Sequence, residues 1–465
     1  MASLRGCVQV SQREEYMRPI SAALRRLWRR PLPVIVALAV LGAAGWAVAQ
    51  PPLQLAANCA GGGVGGGGAG GYGAPTGTCG PYVPLTPTRV LDTRSGIGGT
   101  TGPVGPGQTI TLTLAGTNGV PAMPGASAVV LNVTAVVPNQ ASFLTVWPDG
   151  QPQPTASNLN FVAEETVANL VEVQLGTTGA VDFFNPFGYV QVVADLEGYV
   201  ATSATGSAGL FNPMPGVRVL DTRNGTGGIT GPVGPSATIR VPVTGGTTGV
   251  PATGVSAVVF NLTVTQPTAP SDVTAYPDST TRPTASNINF GAGETIANRV
   301  IVPVVNGYVD LYNVQGDVQL IADINGYFTN SSVPANSGSD FNAEAPVRIV
   351  DTRTNSGIPY SGATLQPNGT LVVQVAGSAG VPLMSSTAPP TAVVLNLTEA
   401  SANAPSFLAV WPSDISRPLI SDVNFGPGQV QPNLVVVQLS PLGQLSFYNA
   451  QGMTNIVVDV EGWYS

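Results

Sequence analysis

The chain has 465 residues, which is enough for roughly three domains of ordinary size. It contains no histidine and no lysine, and this excludes histidine-activated nucleophiles, imidazole metal ligands, Schiff-base lysines and lysine-containing phosphate loops. Seven arginines and two glutamates precede Gln50, so the rest carries 10 arginines against 23 acidic residues, and that net charge of −13 excludes nucleic acid as a partner because nucleic-acid binders need clustered cations.

The first element predicted along the chain is an apolar N-terminal helix within residues 1–49. Four arginines between residues 25 and 30 precede an uncharged run, Leu32–Ala49, which ends in Ala-Val-Ala. These features are typical of a secretory signal peptide, and a start at Met17 would give it an ordinary basic region. The alternative is a membrane anchor, since the run is just long enough to span a bilayer. Both interpretations export residues 50–465 and predict an extracellular or cell-surface location, with membrane contact only through Leu32–Ala49.

A glycine-rich segment, residues 50–80, follows the apolar run. It has too few apolar side chains to bury a core and is predicted to be a linker. Cys59 and Cys79 are the only cysteines of the exported part. In an oxidising compartment we expect them to form a disulfide, worth up to ~3 kcal/mol in the loop-entropy description.

Three copies of one segment occupy the remainder of the chain. The motif Arg-x-x-Asp-Thr-Arg opens each copy and recurs at intervals of 129 and 130 residues. It is followed in each copy by Asn-x-Thr, by an aromatic residue before proline, by Asn-Phe, and by a closing Asp-x-x-Gly-aromatic sequence. We place the three copies at residues 81–203, 211–330 and 343–465, joined by polar linkers.

The local pattern within each copy predicts strands. Thr109–Leu114 reads TITLTL, which alternates strictly, and further β-rich runs are separated by turns rich in glycine, proline and asparagine. About seven or eight such strands per copy suit an antiparallel sandwich better than a helical fold. The predicted fold class is therefore all-β, with three tandem antiparallel β-sandwich or jelly-roll-like domains after one hydrophobic helix.

These landmarks resemble β-rich repeat domains of exported proteins from actinobacteria and other high-GC bacteria, which are often appended to cell-wall hydrolases. The resemblance rests on the opening motif, a Gly-Pro-Val-Gly-Pro run (Gly102–Pro106, Gly231–Pro235), an Asn-x-Asn-Phe strand and the Asp-x-x-Gly-Tyr close. It implies an accessory or surface-attachment role. The third copy lacks the Gly-Pro-Val-Gly-Pro run and has Asp422 where the others have Asn158 and Asn287.

The opening motif admits two interpretations. Its charged residues are Arg89, Asp92, Arg94, Arg218, Asp221, Arg223, Arg348, Asp351 and Arg353. We favour a structural ion-pair network that fixes the first strand of each copy, because arginine pairs with carboxylates in bidentate geometry. The alternative is a cleft lined by arginine and aspartate that binds a carboxylate or a sugar.

The repeated asparagines also allow a structural and a ligand-binding interpretation. In the first copy they are Asn132, Asn158, Asn160, Asn169 and Asn185. They can satisfy backbone groups at turns, or supply oxygen ligands to calcium. The chain has no D-x-D-x-D-G loop, so we predict no metal site and no cofactor.

Three aromatic residues, Trp147, Tyr276 and Trp411, precede proline at a strand end and are the predicted ligand-binding residues. Aromatic faces beside polar side chains hold sugar rings by apolar contact and hydrogen bonds. The alternative is that the rings close the ends of each core, as large aromatics are highly buried on average.

No catalytic constellation is visible in the sequence. A glycosidase needs two carboxylates across a cleft, and Asp92 and Asp195 recur in every copy, but three identical sites without an added lid would be an unusual enzyme. The leading hypothesis is a non-catalytic extracellular or cell-surface protein that binds peptidoglycan or another polysaccharide. The alternative is a structural surface protein whose copies act as spacers or contact other protein subunits.

Overall fold

The computed structural model describes residues 79–202, 207–335 and 337–465. Within these ranges the chain forms strands and turns and no helix, which confirms the all-β prediction. The expected N-terminal helix and Cys59 lie outside the described residues, although Cys79 itself is disulfide-bonded. No helix that could cross a bilayer is found in the part of the chain that the structure describes.

Each copy contributes eight strands. A short strand, β1 (Cys79–Gly80), comes first, and the first copy follows with β2 (Tyr82–Asp92), β3 (Gln108–Thr113), β4 (Ala126–Val136), β5 (Ser142–Pro148), β6 (Leu159–Phe161), β7 (Thr166–Gln174), β8 (Ala180–Asn185) and β9 (Gln191–Ala201). The second copy has β10 (Phe211–Asp221), β11 (Ala237–Pro242), β12 (Val255–Thr265), β13 (Ser271–Pro277), β14 (Ile288–Phe290), β15 (Ile296–Pro303), β16 (Tyr308–Asn313) and β17 (Gln319–Thr329). The third has β18 (Phe341–Asp351), β19 (Thr370–Gln374), β20 (Ala392–Ala400), β21 (Ser406–Pro412), β22 (Val423–Phe425), β23 (Val430–Gln438), β24 (Gln444–Asn449) and β25 (Asn455–Tyr464).

The strands of each copy are divided between two antiparallel sheets. In the first copy the orders are β2-β9-β4-β7 and β3-β8-β5-β6, and the same orders recur as β10-β17-β12-β15 with β11-β16-β13-β14, and β18-β25-β20-β23 with β19-β24-β21-β22. The first strand of a copy therefore pairs with its last, which closes each copy on itself. Strand β1 extends the sheet of the third copy, where Cys79 lies opposite Asn342.

The two sheets of a copy enclose an apolar core, which is separate in the third copy and continuous between the first and second copies. In the third copy Leu395 and Val458 of one sheet belong to the same apolar cluster as Leu408 and Phe447 of the other. The sheet that includes β3 is exposed on its other face, because the residues of TITLTL alternate between buried and exposed. Strand β4 instead reads ASAVVLNVTAV and is buried on both faces, which identifies its sheet as the inner one.

The outer faces of the three inner sheets meet in a second core shared by all three copies. Five aromatic rings fill it: Tyr82, Phe211, Phe328, Phe341 and Tyr464. Tyr82 and Phe328, from the first and second copies, have ring centroids 4.6 Å apart, and Phe211 lies 4.2 Å from Tyr464 of the third. The copies therefore pack into one body and are not strung out as separate beads, a point that the sequence left open.

The glycine of each Asp-x-x-Gly-aromatic close is required by this shared core. At Gly462 a Cβ atom would lie 2.5 Å from the ring of Phe341, and the Cβ positions at Gly198 and Gly326 would meet the rings of Tyr82 and Phe211 in the same way. Any larger residue would push an aromatic ring out of the centre of the body.

We expect Gly462→Ala to lower the free energy of unfolding by about 1 to 3 kcal/mol, because overpacking forces shifts in a filled core. Thermal and denaturant unfolding measure the loss. Gly234→Ala is the matched control, since its Cβ would lie 3.7 Å from the nearest side-chain atom, Asp317 Oδ1, and we expect a change within about 0.5 kcal/mol. Equal stabilities for the two variants would contradict the close approach at Gly462.

Candidate functional site

The arginines of the opening motif pair with carboxylates of their own copy. Arg89 donates Nε and Nη2 to the carboxylate of Asp195 at 2.8 and 3.0 Å, which joins the first strand of the copy to its last. Arg94 donates Nε and Nη2 to Asp92 at 2.9 and 2.7 Å. The same pairs recur as Arg218 with Asp323, Arg223 with Asp221, Arg348 with Asp459 and Arg353 with Asp351. This is the arrangement that a structural ion-pair network requires.

The two acidic residues of this network have opposite pKa shifts. Hydrogen bonds from Arg94 hold the pKa of the Asp92 carboxyl below its usual range. Burial raises the pKa of Asp195, and hydrogen bonds from Arg89 and from the backbone of Ser286 in the second copy oppose that rise. The network therefore reaches the junction between the first and second copies.

A cleft of about 500 Å³ opens at this junction. Its lining comes from both copies: Arg89, Arg94, Thr134, Val136, Thr166 and Val193 from the first, and Asp272, Thr274, Arg282, Pro283, Thr284, Ala285, Ser286 and Asn289 from the second. We name this region the junction cleft. Arg89 and Arg94 of the first opening motif line the junction cleft. These two arginines therefore form the ion pairs described above and also face the cleft.

Two charged side chains of the junction cleft, Arg282 and Asp272, form no ion pair with the described residues. Arg282 is exposed, and its guanidinium lies 3.8 Å from the ring centroid of Tyr312 with no hydrogen bond or ion pair to the described residues. The hydroxyl of Thr134 is buried and makes no hydrogen bond within the described part of the chain, and the same holds for Thr263 and Thr398 at the equivalent positions, so it does not distinguish this cleft. Burial raises the pKa of Asp272, and the charges of Arg282 and Arg89 oppose that rise. The junction cleft thus offers a guanidinium and a carboxyl group to a ligand.

The other two junctions differ from this one at the positions of Arg282 and Asp272. The position of Arg282 is occupied by Gln153 in the first copy and by Arg417 in the third, and that of Asp272 by Phe143 and Phe407. Among the three copies, only the second supplies an arginine and a carboxylate together. Neither residue was predicted from the sequence, because a site between copies has no signature within one copy.

The predicted ligand-binding aromatics are buried. Trp147, Tyr276 and Trp411 are only 5, 6 and 7% exposed. The indole Nε1 of Trp147 donates to the backbone oxygen of Gln151 at 3.0 Å, and that of Trp411 donates to Ile415 in the same way. Rings held like this cannot offer a face to a sugar, so the structure corrects the expectation of exposed rings and favours their alternative role at the ends of each core.

The repeated asparagines connect the copies to one another. Asn298 donates Nδ2 to Asn132 at 2.9 Å, Asn169 donates to Asn396 at 2.9 Å and Asn433 donates to Asn261 at 2.8 Å, each bond crossing a junction. The amide oxygens of Asn298, Asn433 and Asn169 accept backbone N–H groups of Leu170, Arg299 and Leu434 in turn. Among the described residues, no group of three acidic or cysteine side chains is placed to hold a metal ion.

The departure at Asp422 has a structural reason. Arg299, which stands where the other copies have leucine, is fully buried at the junction of the second and third copies. It donates Nη2 to Asp422 at 2.9 Å, Nη1 to Asn325 and Nε to the backbone oxygen of Leu434 at 3.1 Å. A buried guanidinium needs a counterion, so aspartate replaces asparagine at position 422.

Buried glutamates occupy the remaining junctions. Asn158 donates to Glu461 at 2.7 Å, Asn287 donates to Glu197 at 3.3 Å, and the hydroxyl of Tyr464 donates to Glu172 at 3.3 Å. Each of these glutamates has a second carboxyl oxygen without a hydrogen-bond partner in the described chain. Burial raises the pKa of Glu172 to about 8 and those of Glu197 and Glu461 well above the usual value, and Asp195 and Asp459 raise the latter two further. Glu172 is therefore held as a neutral acid near pH 7.

Comparisons with known proteins add little to this geometry. No family model matches the chain, and no curated protein matches it. Two solved structures align with it at 10% sequence identity over 83% of this chain and 90% of theirs, each with a TM-score of 0.18. One is described as a triple jelly roll fold in the turret assembly of an archaeal virus, and the other as the atomic structure of Sulfolobus turreted icosahedral virus. At this TM-score the likeness carries no inference about fold or function.

Proposed function

We propose that this chain is a non-catalytic exported protein, extracellular or attached to the cell surface, that binds peptidoglycan or another polysaccharide. Its body is three jelly-roll β-sandwiches, a description supported by the strand orders of the six sheets. The proposal retains the resemblance to the accessory repeat domains of secreted bacterial proteins. It moves the binding site from the three buried aromatics to the junction cleft.

The observation that carries the proposal is the set of unpaired polar groups in the junction cleft. A sugar hydroxyl both donates and accepts hydrogen bonds, so it can accept from Arg282 and donate to Asp272. Sites for small polar ligands commonly combine a concave surface with a few such groups.

The carboxylates beside the cleft support binding without catalysis. Asp92 and Asp195 are both engaged by Arg89, and Asp92 also by Arg94. A general acid needs a raised pKa and access to the leaving group, whereas Asp92 has a lowered pKa and Asp195 is fully buried. Asp272 is then the one acidic side chain that lines the junction cleft, too few for the two-carboxylate mechanism.

The test is retention of the full chain on purified peptidoglycan and on a glycan array. Arg282→Gln places in the cleft the residue that the first copy has at this position, and we expect it to weaken binding at least about tenfold, since a charged hydrogen bond contributes roughly 1.5 to 3 kcal/mol. Arg417→Gln is the matched control, because Arg417 also lies over a tyrosine ring, 3.9 Å from the centroid of Tyr448. Loss of binding in both variants, or in neither, would contradict a site at the junction cleft. If no glycan retains the wild-type chain, the alternative of a structural surface protein remains.

A further inference from the structure

An exposed apolar patch lies on the first copy. It consists of Val137, Val162, Phe187 and Tyr189, which are 61, 53, 51 and 51% exposed. Three loops at one end of the copy bring these residues together. The backbone N–H of Tyr189 donates to the side chain of Asn139 at 2.8 Å, and the N–H of Glu164 donates to the backbone oxygen of Pro138 at 2.7 Å.

The apolar patch is a property of the first copy alone. The corresponding residues are Gln266, Gly291, Gln315 and Asp317 in the second copy and Ser401, Gly426, Gln451 and Met453 in the third. The fold therefore accepts residues without an aromatic ring at these positions, and the two exposed rings are not needed to build the loops. Exposed aromatic rings that the framework does not require point to a contact with another molecule.

The apolar patch adjoins the junction cleft through Val137. Val136 lines the cleft, and the next residue, Val137, belongs to the patch. The backbone N–H of Val137 donates at 3.3 Å to the hydroxyl of Thr166, which is itself part of the cleft lining. One extended ligand can therefore contact both surfaces.

Charge narrows the class of that ligand. The three arginines that line the junction cleft, Arg89, Arg94 and Arg282, are balanced by Asp92, Asp195 and Asp272. The apolar patch is flanked by two acidic residues, Glu164 and Glu165, on the loop that carries Val162. The exported body has a net charge of −13, which repels polyanions. An uncharged polymer is not repelled by these negative charges.

We infer that the junction cleft and the apolar patch form one extended site for an uncharged polysaccharide chain. One sugar residue bonds through its hydroxyls to Arg282 and Asp272 in the cleft. Sugar rings further along the chain stack on Phe187 and Tyr189, where an aromatic face packs against the apolar face of a ring. This inference rests on the proposed function and adds the charge and the minimum length of the ligand.

Calorimetric titration of the full chain with β-1,4-linked glucan and N-acetylglucosamine oligosaccharides of increasing length tests the inference, with polygalacturonate as the acidic comparison. We expect affinity to rise with length until the oligosaccharide spans both surfaces. The double variant Phe187→Gln with Tyr189→Asp takes the residues of the second copy. It is expected to bind long oligosaccharides about tenfold more weakly and short ones unchanged. Met453→Asp, the equivalent change to Tyr189→Asp in the third copy, is the matched control and should have no effect.

The outcomes separate the inference from the proposed function. If Arg282→Gln weakens binding while the double variant binds long oligosaccharides as the wild type does, the extended site is wrong and the cleft remains. Tighter binding of polygalacturonate than of either neutral series would overturn the uncharged ligand class. If the wild type binds none of the three glycans, the proposed function itself fails for these sugars, whatever the variants do.

Discussion

Replacing Asp422 with alanine is expected to lower the free energy of unfolding by about 3 to 5 kcal/mol, because it leaves a buried arginine without its counterion. Arg299 is fully buried, and Asp422 is its only carboxylate partner among the described residues. The second oxygen of Asp422 accepts the backbone N–H of Val410 at 2.7 Å, and alanine would leave that group unsatisfied as well. Differential scanning calorimetry should show a fall of several degrees in the melting temperature.

A triple variant is the control for this prediction. Arg299→Leu, Asn325→Glu and Asp422→Asn together place at the junction of the second and third copies the residues found at the equivalent positions of the other two copies. We expect its melting temperature to lie close to that of the wild type, since replacing a whole buried ion pair is often neutral. A single variant as stable as the wild type, or a triple variant as unstable as the single one, would contradict the role of the pair.

Sequence reasoning predicts what lies within one copy and fails at what lies between copies. Alternation in TITLTL predicts a strand with one exposed face, whereas ASAVVLNVTAV has apolar residues on both faces of its strand and is buried on both. The sequence left open whether the copies pack together, and the structure answers this because one face of β4 packs in the core of its own copy and the other in the core shared by all three copies. Asp422 was recognisable as a departure, but its partner Arg299 lies 123 residues away and only the fold places them in contact.

In the candidate site, too, the sequence predicts contacts within one copy better than contacts between copies. The pairing of Arg89 with an acidic residue follows from the motif, since paired charges are commonly architectural. The expectation for Trp147 was wrong in its exposure, because the turn that follows it supplies a backbone acceptor for its indole and the ring gains by burial. A position-by-position comparison of the copies would have found Phe187 and Tyr189, whose equivalents in the second copy are Gln315 and Asp317.

The buried glutamates predict that stability falls as the pH rises above about 5. Burial raises the pKa of Glu172 to about 8 and that of Glu399 to about 7, and it raises those of Glu197 and Glu461 as well. An unfolded glutamate loses its proton near pH 4.5, while the folded one keeps it up to its raised pKa. Between these values the folded state binds more protons, so each such group lowers stability by about 1.4 kcal/mol per pH unit.

The aspartates of the opening motifs cause stability to fall at acidic pH. The pKa values of Asp92, Asp221 and Asp351 are lowered by their arginines, and their contribution is present above about pH 4 and is lost as the pH falls through the folded values. We therefore expect the melting temperature to be highest near pH 4 to 5 and to fall towards pH 8. A melting temperature that rises from pH 5 to pH 8 would contradict the neutral state of the buried glutamates.

Glu172→Gln isolates the contribution of one buried acid to this pH dependence. Glutamine has nearly the same shape, can still accept the hydrogen bond from Tyr464 and has no proton to lose, so the variant should lose less stability than the wild type between pH 5 and pH 8. Position 172 tolerates neutral residues in this fold, since the other copies have Ile301 and Val436 there. Glu164→Gln, a change at an exposed loop residue, is the matched control and should leave the slope unchanged. Equal slopes for the Glu172→Gln variant and the wild type would show that Glu172 is already ionised in the folded body.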